Sequence, residues 1–246
     1  QGLPIATKVP LEELTKNYVY PKTVDAVRQL VEMIVGYADP GKDPNNHVIS
    51  IDTETNTLYP HRSKLKILSL VVAWDTGLAA SIPLEHPESP WTLEDVYPYI
   101  SQLLNCQKPK VFHNAKFDLK VLAHKGWHVR RFLWDTLLGE HLLSEDKKGF
   151  YGLKPLTKLL FPQYAGYEDQ LHEALKKEES ETLVQQIKTE EDKRGKKKVK
   201  KEKEEKVKLS KAEKTLAKDT GFIGVALDKL NVYGAVDADV TRQLYL

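Results

Sequence analysis

The stretch that most constrains the fold is Ile49-Ser50-Ile51-Asp52-Thr53-Glu54-Thr55, where apolar β-branched residues run straight into two carboxylates one residue apart. β-Branched residues favour the pleated backbone, and on a strand residues two apart point to the same side. Asp52 and Glu54 should therefore stand side by side at the end of a buried strand. Two negative charges that close repel unless a cation lies between them. A hard divalent ion such as Mg²⁺ or Mn²⁺ suits a donor set made only of oxygens.

The spacing of the apolar residues predicts how the rest of the chain surrounds that strand. Residues 1–21, with Pro4, Pro10 and Pro21, read as an extended lead-in, and 22–36 carry helical spacing with Gly36 as the stop. A polar loop over 39–46 leads to strands at 47–53, 65–74 and 78–84, the last two joined by a hairpin turn at Asp75-Thr76-Gly77. A helix follows over 91–105, capped by Thr92, then a short strand over 110–113 and a helix over 115–126. A strand-to-helix step spans 129–144 through Trp134-Asp135-Thr136, a helix covers 153–161 before Pro162, and 223–246 read as the closing helix. Strands interleaved with helices in this order predict an α/β domain with a central mixed sheet flanked by helices. Residues 1–46 are expected as a lead-in and helix, and 47–246 as the domain proper.

Between about 175 and 220 the composition shifts to lysine and glutamate, and its core over 189–203 has almost nothing to bury. This insertion reads as a solvated arm or loop, with contact to nucleic-acid phosphates as the sharper alternative. The net charge of +2 means that nucleic acid would be held by a local patch. A single cysteine, Cys106, excludes an internal disulfide and a cysteine-based zinc site, and it fits a reducing compartment. No apolar run approaches the roughly 20 residues of a membrane span, so no membrane partner is expected. His124 and His128 are four apart with Gly126 between them and no third ligand nearby, which argues against zinc.

Two further carboxylates stand out. Asp118 follows Asn114 by four in His113-Asn114-Ala115-Lys116-Phe117-Asp118, and Asp237 follows Tyr233 by four in Tyr233-Gly234-Ala235-Val236-Asp237-Ala238-Asp239-Val240-Thr241. Residues four apart share a helix face. Asp-x-Glu on a strand, then Asn-x-x-Phe-Asp, then Tyr-x-x-x-Asp is similar in order to the motif set of the DEDDy 3′–5′ exonucleases. The chain most resembles the proofreading exonuclease domain of family A, DNA polymerase I-like DNA polymerases, from about residue 47 to 246. Trp134-Asp135-Thr136 also falls where that family has an Asp-Thr after a strand, whereas the lysine-rich arm departs from its pattern.

The resemblance implies a ribonuclease H-like fold and two-metal hydrolysis of DNA 3′ ends to nucleoside 5′-monophosphates, with Mg²⁺ as the ion and Mn²⁺ as a substitute. It implies that Asp52, Glu54 and Asp237 hold one ion and that Asp118 reaches a second, bridged by Asp52. Tyr233 would orient the attacking water. Thr53, Leu58, Asn114 and Phe117 would contact the terminal nucleotides, with Leu58 wedged between the last two bases. The expected partners are a single-stranded or frayed DNA 3′ end and a polymerase domain of the same parent chain, following Leu246. The expected place is intracellular: cytoplasm or nucleoid for a bacterial or phage source, plastid or mitochondrion for an organellar one. The alternatives are an exoribonuclease like RNase D, with the same carboxylates and tyrosine, and a nuclease-inactive module that only binds nucleic acid.

Overall fold

The computed structural model describes residues 9–61, 64–144, 150–169 and 222–246. The insertion expected at about 175–220 therefore lies outside the described residues. A five-stranded sheet in the order β3-β2-β1-β4-β5 forms the centre. β1 (Ile49–Thr55) pairs antiparallel with β2 (Ile67–Asp75), which pairs antiparallel with β3 (Leu78–Pro83). β4 (Lys110–Phe112) lies parallel to β1, and β5 (Phe132–Asp135) lies parallel to β4. The carboxylate-bearing strand is thus the middle of a mixed sheet.

The lead-in is not extended throughout. Its residues Leu11–Leu14 form one helical turn, α1, because Pro10 pre-sets the entry and its carbonyl accepts from Glu13 and Leu14. Beyond it, Val19 bridges to Ala80 and extends the β3 edge. α2 (Val24–Gly36) begins where the Thr23 hydroxyl accepts from the Ala26 amide, and it buries Val27, Leu30, Val31 and Ile34. α3 (Leu93–Asn105) starts with a capping box in which Asp95 accepts from the Thr92 amide. α4 (Ala115–His124) ends before Gly126, whose φ of +82° lets the chain turn back so that the Trp127 amide reaches the Leu122 carbonyl. α5 (Thr136–Leu143), α6 (Leu153–Leu160) and α7 (Leu227–Tyr245) complete the described elements. α7 begins four residues later than its apolar spacing suggests, because 222–224 form a turn.

Alternation along β1 sends its residues to two different layers. Ile49 and Ile51 join α2, α3 and α4 in the larger apolar core, with Phe112, Leu103 and Trp127. Ser50, Asp52 and Glu54 belong to the opposite side, where the Ser50 hydroxyl donates to the Ala238 carbonyl of α7 at 2.6 Å. On that side Val71 and Ala73 of β2 pack against Ala235, Val236 and Val240. Among the described residues no helix is long and apolar enough to cross a membrane.

Candidate active site

β1 and α7 bring the first and last motifs together. Carboxylate oxygens of Asp52, Glu54 and Asp237 all lie within 4.8 Å of one another. β1 supplies two of them because alternate residues share a face, and α7 supplies the third because it lies across that face. Glu54 and Asp237 are buried, and Asp52 is mostly so.

Close approach of α7 to β1 depends on Gly234. A Cβ there would come within 2.8 Å of Val71 Cγ1 and 3.1 Å of Glu54 Oε1. Val71 belongs to a central strand and is fully buried, so it has nowhere to move. Gly234→Ala should therefore cost about 1–2 kcal/mol of stability despite the better helix propensity of alanine, because overpacking outweighs that gain. It should also slow any reaction at Glu54 by roughly tenfold, since misplacement of a reacting group by an ångström has effects of that order or larger. A denaturant melt and a rate measurement on the same preparation check both; an unchanged rate would mean that Glu54 tolerates the shift.

Asp118 comes from the other side of the strand. It is 2% exposed, and the Thr53 hydroxyl donates to its Oδ1 at 2.6 Å. After burial, the charge of Asp52 helps to raise its carboxyl, so the two groups are near neighbours. Asp52 thus stands between Asp118 on one side and Glu54 with Asp237 on the other. Thr53, expected at the substrate, is buried with its hydroxyl committed to Asp118.

α4 is aimed by the Asp-Thr pair after β5. The Asp135 carboxylate accepts from the amides of Asn114 and Ala115, both at 2.9 Å, and from Leu137 at 3.0 Å, so one side chain caps both α4 and α5. Asn114 adopts the left-handed conformation, φ 67°, which asparagine tolerates better than most residues. Its side chain is exposed and makes no capping hydrogen bond. Phe117 is half-buried against the larger core, whereas Leu58 is 71% exposed just beyond the end of β1.

Tyr233 sits over the cluster between Tyr167 and Phe222, with ring centroids 5.7 Å and 5.6 Å away. Burial, then the charge of Asp237, pushes its hydroxyl well above the ordinary tyrosine range. Lys154 and Tyr167 complete the constellation: the Lys154 ammonium reaches both oxygens of Asp237, Oδ2 at 2.6 Å, and the Tyr167 hydroxyl donates to Oδ1. Neither residue was foreseen from the sequence. Lys154 is one lysine among many, and no spacing rule links either residue to Asp237.

Electrostatics shows a site short of positive charge. Burial, then the negative charge of Asp237, lifts the Asp52 carboxyl to about 7. Burial followed by Asp52 raises Glu54 and Asp118 well above the usual carboxylate range. Glu54 Oε1 is buried with no hydrogen-bond partner. A buried, unpartnered carboxylate oxygen facing two more carboxylates fits a divalent cation and little else. Asp52, Glu54 and Asp237 are the residues that would hold it.

Comparison with known proteins agrees with this geometry. A family model described as 3′–5′ exonuclease, of the DNA polymerase A type, matches residues 18–194. That span holds the first two motifs, and the third, Tyr233 to Asp237, lies beyond it and is placed by α7. DNA polymerase I of Synechocystis is 29% identical over 127 residues, 51% of this chain and 12% of that protein. DNA polymerase I of Chloroflexus aurantiacus is 34% identical over 115 residues, 46% of this chain and 12% of that protein. The matched segment is thus about an eighth of the length of either relative. Trypanosoma brucei RNase D in complex with GMP superposes with a TM-score of 0.57 at 14% identity, covering 94% of this chain and 57% of that one, which shows a shared ribonuclease H-like fold. The family match over most of the chain, carrying the strand carboxylates and the Asp118 helix, makes this protein a member of the DNA polymerase A-type 3′–5′ exonuclease family.

Proposed function

We propose that the chain hydrolyses DNA from its 3′ end, releasing nucleoside 5′-monophosphates, as the proofreading module of a DNA polymerase. The observation that carries this reading is the meeting of Asp52, Glu54 and Asp237 within 4.8 Å around an unpartnered buried oxygen. The polymerase relatives favour DNA as the substrate and a polymerase domain of the same parent chain as the partner. An intracellular place follows from that role.

Two divalent ions, Mg²⁺ or its substitute Mn²⁺, would supply Lewis acidity and a water of lowered pKa. Asp52, Glu54 and Asp237 would hold one of them, and Asp118, steadied by Thr53, would join Asp52 toward the other. Tyr233 keeps its proton at neutral pH because its hydroxyl is pushed up, so it acts as a hydrogen-bonding guide for the attacking water and not as a base. The bond that breaks joins phosphorus to the 3′-oxygen of the preceding nucleotide. Asn114 and Phe117 lie at the start of α4, where they would meet the terminal nucleotide.

Leu58 offers an exposed apolar side chain beyond the strand end, suited to standing against a base face. Leu58→Ala should slow release from a paired 3′ end roughly three- to tenfold and from a single strand by less, a loss of about 0.7–1.4 kcal/mol that lies at or below the low end of the about 1–3 kcal/mol per base of aromatic stacking, since leucine has no π-face. Equal effects on both ends would remove the wedge from the reading.

The function is tested by digesting 3′-labelled DNA and RNA oligonucleotides of one sequence, with Mg²⁺ and with excess chelator. Mg²⁺-dependent 5′-mononucleotides from DNA support it. Preference for RNA would make the protein an exoribonuclease, and release from neither would leave a binding module.

A further inference from the structure

Lys154 introduces a positive charge where the family's carboxylates gather. It stands in the first turn of α6, and its ammonium contacts both oxygens of Asp237 and the Tyr167 hydroxyl. Two aromatic rings flank the same ammonium, with centroids at 4.1 Å for Tyr233 and 4.5 Å for Tyr167. The side chain is only a quarter exposed. The ammonium is therefore held by a carboxylate, a phenol and two ring faces, a built cage and not a chance surface pair.

That cage overlaps the position a divalent ion needs. Asp237 is one of the three carboxylates within 4.8 Å, and Lys154 covers both of its oxygens. A divalent ion bound to Asp237 would lie a few ångströms from the ammonium, and although the Asp237 carboxylate attracts both, the two cations repel each other. One of them must yield at least one oxygen. The flexible four-carbon stem of lysine lets the head swing without moving α6. The group that arrives with the ions is the phosphate under attack, an anion that sits beside Asp237 if the function proposed above holds.

We propose that Lys154 is a further residue of the hydrolytic site, a resident cation that holds Asp237 until divalent ions take it and then moves to the phosphate. The exchange has two consequences. Lys154 weakens binding of the ion to the free protein, and it strengthens binding of the phosphate once the ion is present. A purely structural ion pair would weaken the ion but do nothing for the phosphate, since it would stay on Asp237 throughout. The inference rests on the assignment of this pocket as a phosphodiester site, and its test separates the two.

The test uses the full chain with Lys154→Met, which keeps the stem and removes the charge, and Lys154→Arg, which keeps the charge. Mn²⁺ binding is measured by calorimetry without nucleic acid, and thymidine 5′-monophosphate binding is measured with saturating Mn²⁺. Lys154→Met should bind Mn²⁺ at least about tenfold tighter, a floor set by the repulsion of a like charge about 4 Å from a divalent ion even at the dielectric of water. It should bind thymidine 5′-monophosphate more weakly and lower kcat on single-stranded DNA at saturating Mn²⁺ by roughly 10–100-fold. Lys154→Arg should restore most of the monophosphate affinity. Unchanged or weaker Mn²⁺ binding by Lys154→Met overturns the proposal, as does tighter Mn²⁺ binding with unchanged monophosphate affinity. Should the wild type degrade no nucleic acid while both binding shifts appear, the nuclease reading fails and the Lys154 exchange stands.

Discussion

Asp52→Asn should lower metal-dependent nucleotide release by on the order of 10³-fold or more while leaving the protein folded. Asp52 is the carboxylate that stands between Asp118 and the Glu54–Asp237 pair, so it is the one that the two ions of the proposed function would share. A ligand common to two ions supports several kcal/mol of charge stabilisation in the transition state, and each 1.36 kcal/mol is a factor of ten. The same substitution should make the chelator-treated protein more stable. Burial and the charge of Asp237 raise the Asp52 carboxyl to about 7, so its folded-state pKa lies above that of the unfolded chain. Such a group contributes stability fully below the unfolded value near 4, and that contribution is lost as pH rises through about 7. The melting temperature of Asp52→Asn minus that of wild type should therefore be near zero at pH 4 and grow to several degrees by pH 8, at roughly 2–4 °C per kcal/mol. Saturating Mg²⁺ should erase the difference or reverse it, because the ion stabilises only the intact cluster. A wild-type rate in the variant would remove Asp52 from the chemistry, and a flat difference across pH would mean that the carboxyl is not under electrostatic pressure.

The second large effect concerns stability. Asp239, two residues after Asp237, is fully buried and is held by partners outside the Asp52–Glu54–Asp237 cluster. Its Oδ2 accepts from the Tyr18 hydroxyl at 2.7 Å and the Tyr164 hydroxyl at 3.0 Å, and the Gly77 amide donates to it at 3.1 Å. Gln243 reaches Oδ1 at 3.0 Å. One carboxylate thus ties the lead-in, the segment after α6 and the β2–β3 hairpin to α7. The turn needs that amide in place because Gly77 has φ +73°, a conformation a side chain would strain. Asp239→Ala would strand two buried hydroxyls and an amide and open a cavity. At about 1–3 kcal/mol for each buried group left unpaired, the loss should be on the order of 3–5 kcal/mol, or about 10 °C or more in Tm. Tyr18→Phe alone should cost about 1 kcal/mol, and in the Asp239→Ala background close to nothing, since the shared bond is already gone. Additive losses would show that the two side chains do not act together.

These effects separate what could be read from the chain and what could not. Alternation in Ile49 to Thr55 determined the strand and the shared face of Asp52 and Glu54, because the period of a strand is a local property. The start of α4 and the hairpin at Gly77 were legible for the same reason, whereas α4 stops at His124, short of the expected Gly126, because the positive φ of Gly126 turns the chain back. The helix of Asp237 was legible in type, though its start slipped to Leu227 because the preceding turn left no apolar signature. Asp239 looked like one more motif residue, and only packing shows that it is a buried knot.

The sequence by itself determined which side chains could form the site: the order of Asp52-x-Glu54, Asp118 and Tyr233-x-x-x-Asp237 carries the family and its chemistry, since each motif is local and its spacing sets a face. Only the tertiary structure decided what surrounds them. Asp135 caps α4, Thr53 grips Asp118, Gly234 admits Glu54, and Lys154 with Tyr167 closes on Asp237, each through a contact between segments far apart in the chain. Spacing along a backbone encodes the face a residue occupies; it does not encode which distant element comes to lie against that face.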